Sequence, residues 1–150
     1  MPDKSDLKRA GLKTTLPRLR ILEILERGAQ RHLTAEDVYK HLLEAGEEMS
    51  LATVYRVLTQ FQTAGLVLRH NFEGGRSIFE LNNEQHHDHM LCLECGEVFE
   101  FYDKEIERRQ RQAAKTEGFL IDDHALYLYG TCEGMRTNGK CSKEVEKKRK

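Results

Sequence analysis

The chain has no Trp, two prolines and no excess of either charge, with 24 Lys and Arg against 25 Asp and Glu. A net charge of −1 names no partner, so any electrostatic recognition must be local. No apolar run approaches the ~20 residues that a membrane span needs. The N-terminus carries no apolar stretch of the secretory kind, so the expected location is the cytoplasm. In that reducing compartment the cysteines, Cys92, Cys95, Cys132 and Cys141, read as metal ligands rather than disulfides. With prolines only at positions 2 and 17, there is no Pro-Cys-x-x-Cys deaminase signature, and no His-Glu-x-x-His motif occurs. These absences argue against a metal-dependent hydrolase, and no enzymatic activity is expected. Internal repeats and Gly/Ser-rich linkers are also missing.

Charge is unevenly distributed. Residues 1–20 hold Lys4, Lys8, Arg9, Lys13, Arg18 and Arg20 against Asp3 and Asp6. Residues 84–107 reverse the sign, with eight acids from Glu84 to Glu107 against Lys104. This layout suits a chain that meets a polyanion at one place and a cation at another.

The densest chemistry lies in His86-His87-Asp88-His89-Met90-Leu91-Cys92-Leu93-Glu94-Cys95-Gly96. Cys92 and Cys95 have the spacing at which two thiolates grip one tetrahedral Zn(II), and Cys132 and Cys141 are the natural second half. The His/Asp run offers harder donors that accept Fe(II), Mn(II) or Zn(II). In an extended strand alternate side chains share a face, so His87 and His89 point one way and His86 and Asp88 the other. The first face has Glu80, Glu100 and His32 to draw on, although a lone His32 is ordinarily a surface residue. The second has Glu107 and His124.

The first half reads as helices. One short segment ends at Gly11. A second helix opens at Thr15-Leu16-Pro17, with Pro17 tolerated in its first turn and Gly28 as a left-handed stop. A third opens at Thr34 and ends at Gly46. The fourth, from Ser50 to about Ala64, buries Leu51, Val54, Leu58 and Phe61 and turns Ala52, Arg56, Thr59 and Gln60 outward, with Tyr55 on the flank. Strands at 66–72 and 76–81 follow, joined through Glu73-Gly74-Gly75. Three full helices and a hairpin are the order of a winged helix-turn-helix. Its outward face suits a DNA major groove, Lys13 and Arg18 suit a phosphate or an AT-rich minor groove, and Arg69 and Arg76 suit flanking phosphates. Beyond residue 82 the pattern predicts a strand at 97–102, a helix capped by Asp103 that ends before Gly118, and one or two strands within 119–129.

The segments Gly11-Leu12-Lys13-Thr14-Thr15-Leu16-Pro17-Arg18, Leu51-Ala52-Thr53-Val54-Tyr55-Arg56-Val57-Leu58, Arg69-His70-Asn71-Phe72-Glu73-Gly74-Gly75 and the run from His86 to Gly96 resemble the ferric uptake regulator family. The resemblance implies an α+β fold, with a winged-helix DNA-binding domain at 1–81, a hinge at 82–85 and a small α/β metal-binding dimerisation domain with an antiparallel sheet at 86–142; the charge and missing hydrophobic pattern of 143–150 predict a disordered tail. It implies structural zinc on Cys92, Cys95, Cys132 and Cys141. It also implies a regulatory iron site on His32, Glu80, His87, His89 and Glu100, and an additional site on His86, Asp88, Glu107 and His124. DNA contacts fall to Lys13, Arg18, Tyr55 and Arg56. The implied function is an iron-responsive repressor, a homodimer or tetramer on AT-rich palindromic operators of iron-acquisition genes. Zinc, manganese and peroxide sensors of the same family are the alternatives. Glu80 and Glu100 stand where the peroxide branch typically carries aspartates, which favours iron. The last two cysteines are more widely spaced here than is common in the family.

Overall fold

The computed structural model describes residues 4–28, 31–83 and 85–141. The chain divides into two compact units, Met1–Glu84 and Gln85–Lys150. The expectation for 143–150 lies outside the described residues, as does Glu84 of the expected hinge.

The N-terminal unit contains α1 (Lys4–Arg9), α2 (Leu16–Arg27), α3 (Ala35–Glu44), α4 (Leu51–Thr63), β1 (Val67–Asn71) and β2 (Ser77–Leu81). Polar caps start the helices where the sequence places them. The Thr15 hydroxyl accepts from the Arg18 amide at 3.4 Å. Thr34 and Asp37 form a reciprocal capping box, each bond 3.0 Å, and Ser50 accepts from the Thr53 amide at 3.2 Å. Each cap satisfies a helix-end amide that would otherwise lack a partner. Leu22, Val38, Leu42, Val54, Leu58, Phe61 and Phe79 close one apolar core. Val57 is buried with them, while Leu51 is only partly covered.

Gly28 differs from expectation. Its φ of −62° and ψ of 138° are extended, not left-handed. α2 ends because the chain straightens at Gly28, whose amide still bonds Ile24 O at 3.1 Å.

β1 and β2 form the antiparallel wing, in register from Val67↔Leu81 to Asn71↔Ser77. The strands are slightly shorter than the hydrophobic pattern suggested. Gly74 and Gly75, at φ 92° and 83°, make the left-handed turn that a side chain would resist. An isolated bridge from Leu33 to Phe79 ties the start of α3 to the wing.

The C-terminal unit contains β3 (Asp88–Cys92), β4 (Val98–Phe101), α5 (Lys104–Thr116), β5 (Tyr127–Gly130) and α6 (Glu133–Asn138). Its sheet has the order β4-β3-β5. β3 pairs antiparallel with β4, as expected. It pairs parallel with β5, so the sheet is mixed rather than wholly antiparallel. The reason is connectivity: β4 ends beside Asp88, the link through α5 returns to that same end of the sheet, and β5 starts beside His89, so β5 runs opposite to β4 and parallel to β3. Of the stretch 119–129 only Tyr127–Tyr129 is strand; 119–126 runs irregularly. α6 was not foreseen, because a short Gly-containing segment has no clear helical periodicity. Among the described residues, no helix is long and apolar enough to cross a membrane.

Candidate metal centres and nucleic-acid interface

The thiols occupy one place. Donor atoms of Cys92, Cys95 and Cys132 lie within 4.8 Å of one another, and the Cys95 and Cys132 sulfurs are 3.9 Å apart. Four sulfurs at ~2.3 Å from a zinc ion stand about 3.8 Å from each other, so the spacing suits that ion. The Cys132 amide donates to Cys92 Sγ at 3.3 Å. Burial, together with hydrogen bonds among the thiols of Cys92, Cys141 and Cys132, pushes the Cys95 thiol up to about 12 against an opposing backbone bond at Glu97. A bound cation favours the thiolate form of such a cluster. Cys141 is buried, but it lies outside the tight triangle. α6 and the left-handed Gly139, at φ 67°, return the chain and absorb the wide Cys132–Cys141 spacing.

β3 is covered on both faces near its start, and the two faces carry different donor sets. On one, His86 Nε2 lies 3.1 Å from both Asp88 Oδ1 and Glu107 Oε1. His124 Nε2 lies 3.2 Å from Glu107 Oε2. Donor atoms of these four residues fall within 4.8 Å of each other. Burial alone would push the Glu107 carboxyl up, but the hydrogen bond from His124 and the charges of His124 and His86 outweigh it and hold the carboxyl below its ordinary range. Glu107 is the one buried residue of α5. Asp88 Oδ2 is buried with no hydrogen-bond partner among the described residues. A buried carboxylate oxygen left over beside two imidazoles and a second carboxylate fits a divalent cation.

On the other face of β3, His89 stands directly across from Glu100 on β4. His87 Nε2 is 3.3 Å from Glu100 Oε1, and the His87 and His89 rings are 4.9 Å apart. These three residues of the C-terminal unit share a face. The two regulatory candidates of the N-terminal unit also meet, with His32 Nε2 3.1 Å from Glu80 Oε2. His32 is therefore no ordinary surface residue; its side chain is 9% exposed and that of Glu80 1%. Glu80 has a second histidine neighbour that sequence reasoning missed: His70 Nε2 lies 2.6 Å from Glu80 Oε1. The available signal was the strand period, which puts His70 and Glu80 on one face of the hairpin once Gly74-Gly75 fixes the register.

α4 presents Ala52, Tyr55, Arg56 and Thr59 to solvent, and Gln60 is half-buried. Arg56 makes no hydrogen bond or ion pair among the described residues, which leaves it available to a polyanion. The Tyr55 hydroxyl donates to Glu36 Oε1 at 3.0 Å. That bond, with some burial and the Glu36 charge, raises the phenol above its usual range, against a lowering by Arg69. Lys13 is exposed. Arg18 is turned inward instead, its guanidinium donating to Gln60 Oε1 at 3.0 and 3.3 Å and to Lys13 O at 2.7 Å. It thus ties α4 to the chain ahead of α2. Arg69 is likewise committed to the wing, donating to Asn71 and Ser77.

A winged helix joined in sequence to a unit with thiol and His/carboxylate clusters defines a class: a DNA-binding, metal-responsive transcriptional regulator. The ferric uptake regulator family model matches residues 9–129. The ferric uptake regulation protein of Pseudomonas aeruginosa is 59% identical over 129 residues, 86% of this chain and 96% of that one. The crystal structure of the Vibrio cholerae ferric uptake regulator superposes with a TM-score of 0.82 at 55% identity, covering 87% of this chain and all of that one. The ferric uptake regulator of Francisella tularensis, solved with iron, gives 0.80 at 38% identity over 84% of this chain and 96% of that one. The chain belongs to the ferric uptake regulator family. Members of this family are DNA-binding regulators that act as dimers.

Proposed function

We propose how this chain works as an iron-responsive transcriptional repressor: Fe(II) is the corepressor that locks a cytoplasmic homodimer for AT-rich palindromic operators of iron-acquisition genes. The observation that carries this reading is the separation of donors by chemistry. Thiols are gathered in one cluster, and His/carboxylate sets stand apart from it.

Cys92, Cys95, Cys132 and Cys141 hold structural zinc and keep the C-terminal unit folded. His32 and Glu80 are one half of the regulatory set, and His87, His89 and Glu100 are the other. Neither half alone offers a full coordination shell. His86, Asp88, Glu107 and His124 form the additional site. When bound, Fe(II) supplies the charge that holds both halves of the regulatory set in one arrangement, and it favours the DNA-competent state to the extent that it binds that state better. Mn(II) and Zn(II) suit the same nitrogen and oxygen donors.

Arg56 and Tyr55 face the major groove, and Lys13 meets the backbone or the minor groove. Arg18 holds Lys13 and Gln60 in place for that contact. Two copies of α4, one per subunit, read the two half-sites of a palindrome. Exposed Met90, Leu93, Leu128 and Tyr129, all in the C-terminal unit, support the pairing of subunits there.

Gel-shift titration on an AT-rich palindrome, with Fe(II), Mn(II), Zn(II) or chelator, tests the reading. The wild type should bind only with metal. His89→Ala should remain dimeric by sedimentation and need ~10–100-fold more metal, the usual scale for disturbing a metal site. Unchanged metal-dependent binding by that variant overturns the assignment.

A further inference from the structure

Glu80 lies between two histidines, and only His32 belongs to the regulatory set. His70 is on β1 and Glu80 on β2, and the register Leu68↔Glu80 puts His70 diagonally opposite on the same face of the wing. Both are buried, Glu80 at 1% and His70 at 9% exposure. His70 Nε2 approaches Glu80 Oε1 to 2.6 Å, while the other carboxylate oxygen, Oε2, faces His32 at 3.1 Å. The His70 ring is stacked near Phe72, with centroids 6.4 Å apart and planes within 13°. Phe72 is itself buried.

We propose that His70 is a positioning residue for the regulatory metal: its Nε2–H holds Glu80 Oε1 and leaves Oε2 as the coordinating oxygen. Held through Oε1, the carboxylate keeps one orientation, with Oε2 on the side of His32. Such outer partners orient metal ligands and commonly set affinity by 10–100-fold. Because His70 is on the hairpin strand that leads into Phe72 and the Gly74-Gly75 turn, metal affinity is tuned from the wing. The inference rests on the reading of Glu80 as a regulatory ligand.

The test is Mn(II) binding to the zinc-loaded dimer, followed by electron paramagnetic resonance, for the wild type, Glu80→Ala, His70→Ala, His70→Gln and the Glu80→Ala/His70→Ala double variant. Circular dichroism checks that each is folded. Glu80→Ala identifies the binding component that belongs to Glu80. His70→Ala should weaken that component ~10–100-fold. His70→Gln should recover most of the loss, since its amide N–H can replace the imidazole donor but offers no ligating nitrogen. The double variant should bind no more weakly than Glu80→Ala, because a residue that acts through Glu80 has nothing left to act on. Wild-type affinity in His70→Ala, failure of His70→Gln to recover, or additive loss in the double variant each overturns the role of His70. No change in Glu80→Ala instead removes Glu80 from the site and the inference with it.

Discussion

In the N-terminal unit the best-sealed side chains are Val54, Leu58, Phe61, Ile78 and Phe79, whereas in the C-terminal unit the sealed set includes Asp88, His89 and Glu107. Large apolar side chains of the C-terminal unit, Phe119, Leu120, Leu93 and Tyr102 among them, stand exposed. One unit is held by hydrocarbon excluded from water. The other buries polar donors whose desolvation needs repayment, which a cation at each cluster and a second subunit over the apolar surface can provide. The exception in the N-terminal unit is the polar cluster of His32, His70 and Glu80, which in the proposed reading supplies that unit's ligands to the regulatory metal. The contrast teaches that one unit can close on hydrocarbon alone, while the other is built around polar side chains that a cation would compensate.

Removing the zinc should sharpen the contrast most. Structural zinc of this kind carries ~10–16 kcal/mol of apparent binding free energy that is also folding free energy. Cys92→Ser should therefore abolish the cooperative unfolding of the C-terminal unit and dissociate the dimer, while α2–α4 keep their amide protection. Hydrogen exchange read segment by segment checks it, and joint loss of protection in both units breaks the comparison. Next in size, Phe61→Ala should cost the N-terminal unit about 3–5 kcal/mol, the usual range for emptying an aromatic core site. Denaturant melts should show that loss with the zinc content unchanged.

The smallest effect concerns acid. The folded Glu107 carboxyl titrates below its ordinary range, so its contribution is fully present above an unfolded value near ~4.3. It is lost as pH falls through the lower folded value. In metal-free protein the C-terminal unit should weaken over that window, and Glu107→Gln should flatten the dependence. Thermal midpoints taken from pH 6 downward decide it; equal acid sensitivity in the variant would remove Glu107 as the cause.

Helix starts were legible because Thr15, Thr34 and Ser50 act locally, each on the amide three residues away. The buried stripe of α4 was legible for the same reason, since helical period maps directly onto a face. The split of His86 and Asp88 from His87 and His89 followed from strand period, and each pair indeed meets different partners. Arg18, expected to contact DNA, has partners here that the sequence did not announce. Its fork is occupied by Gln60, 42 residues away, and no local pattern reports so distant an acceptor. Gly28 was misjudged because a glycine permits a left-handed stop without requiring one.

Residue types and short spacings were enough to state the winged-helix order, the metal chemistry and the donors on offer. These depend on periods of two and 3.6 residues and on ligand preferences that any nearby partner satisfies. Pairing across long separations had to come from the fold. The parallel β5, the return of Cys141 through α6, and the grip of Arg18 on Gln60 each depend on how distant segments pack, and packing energy is shared among many side chains rather than written at one position.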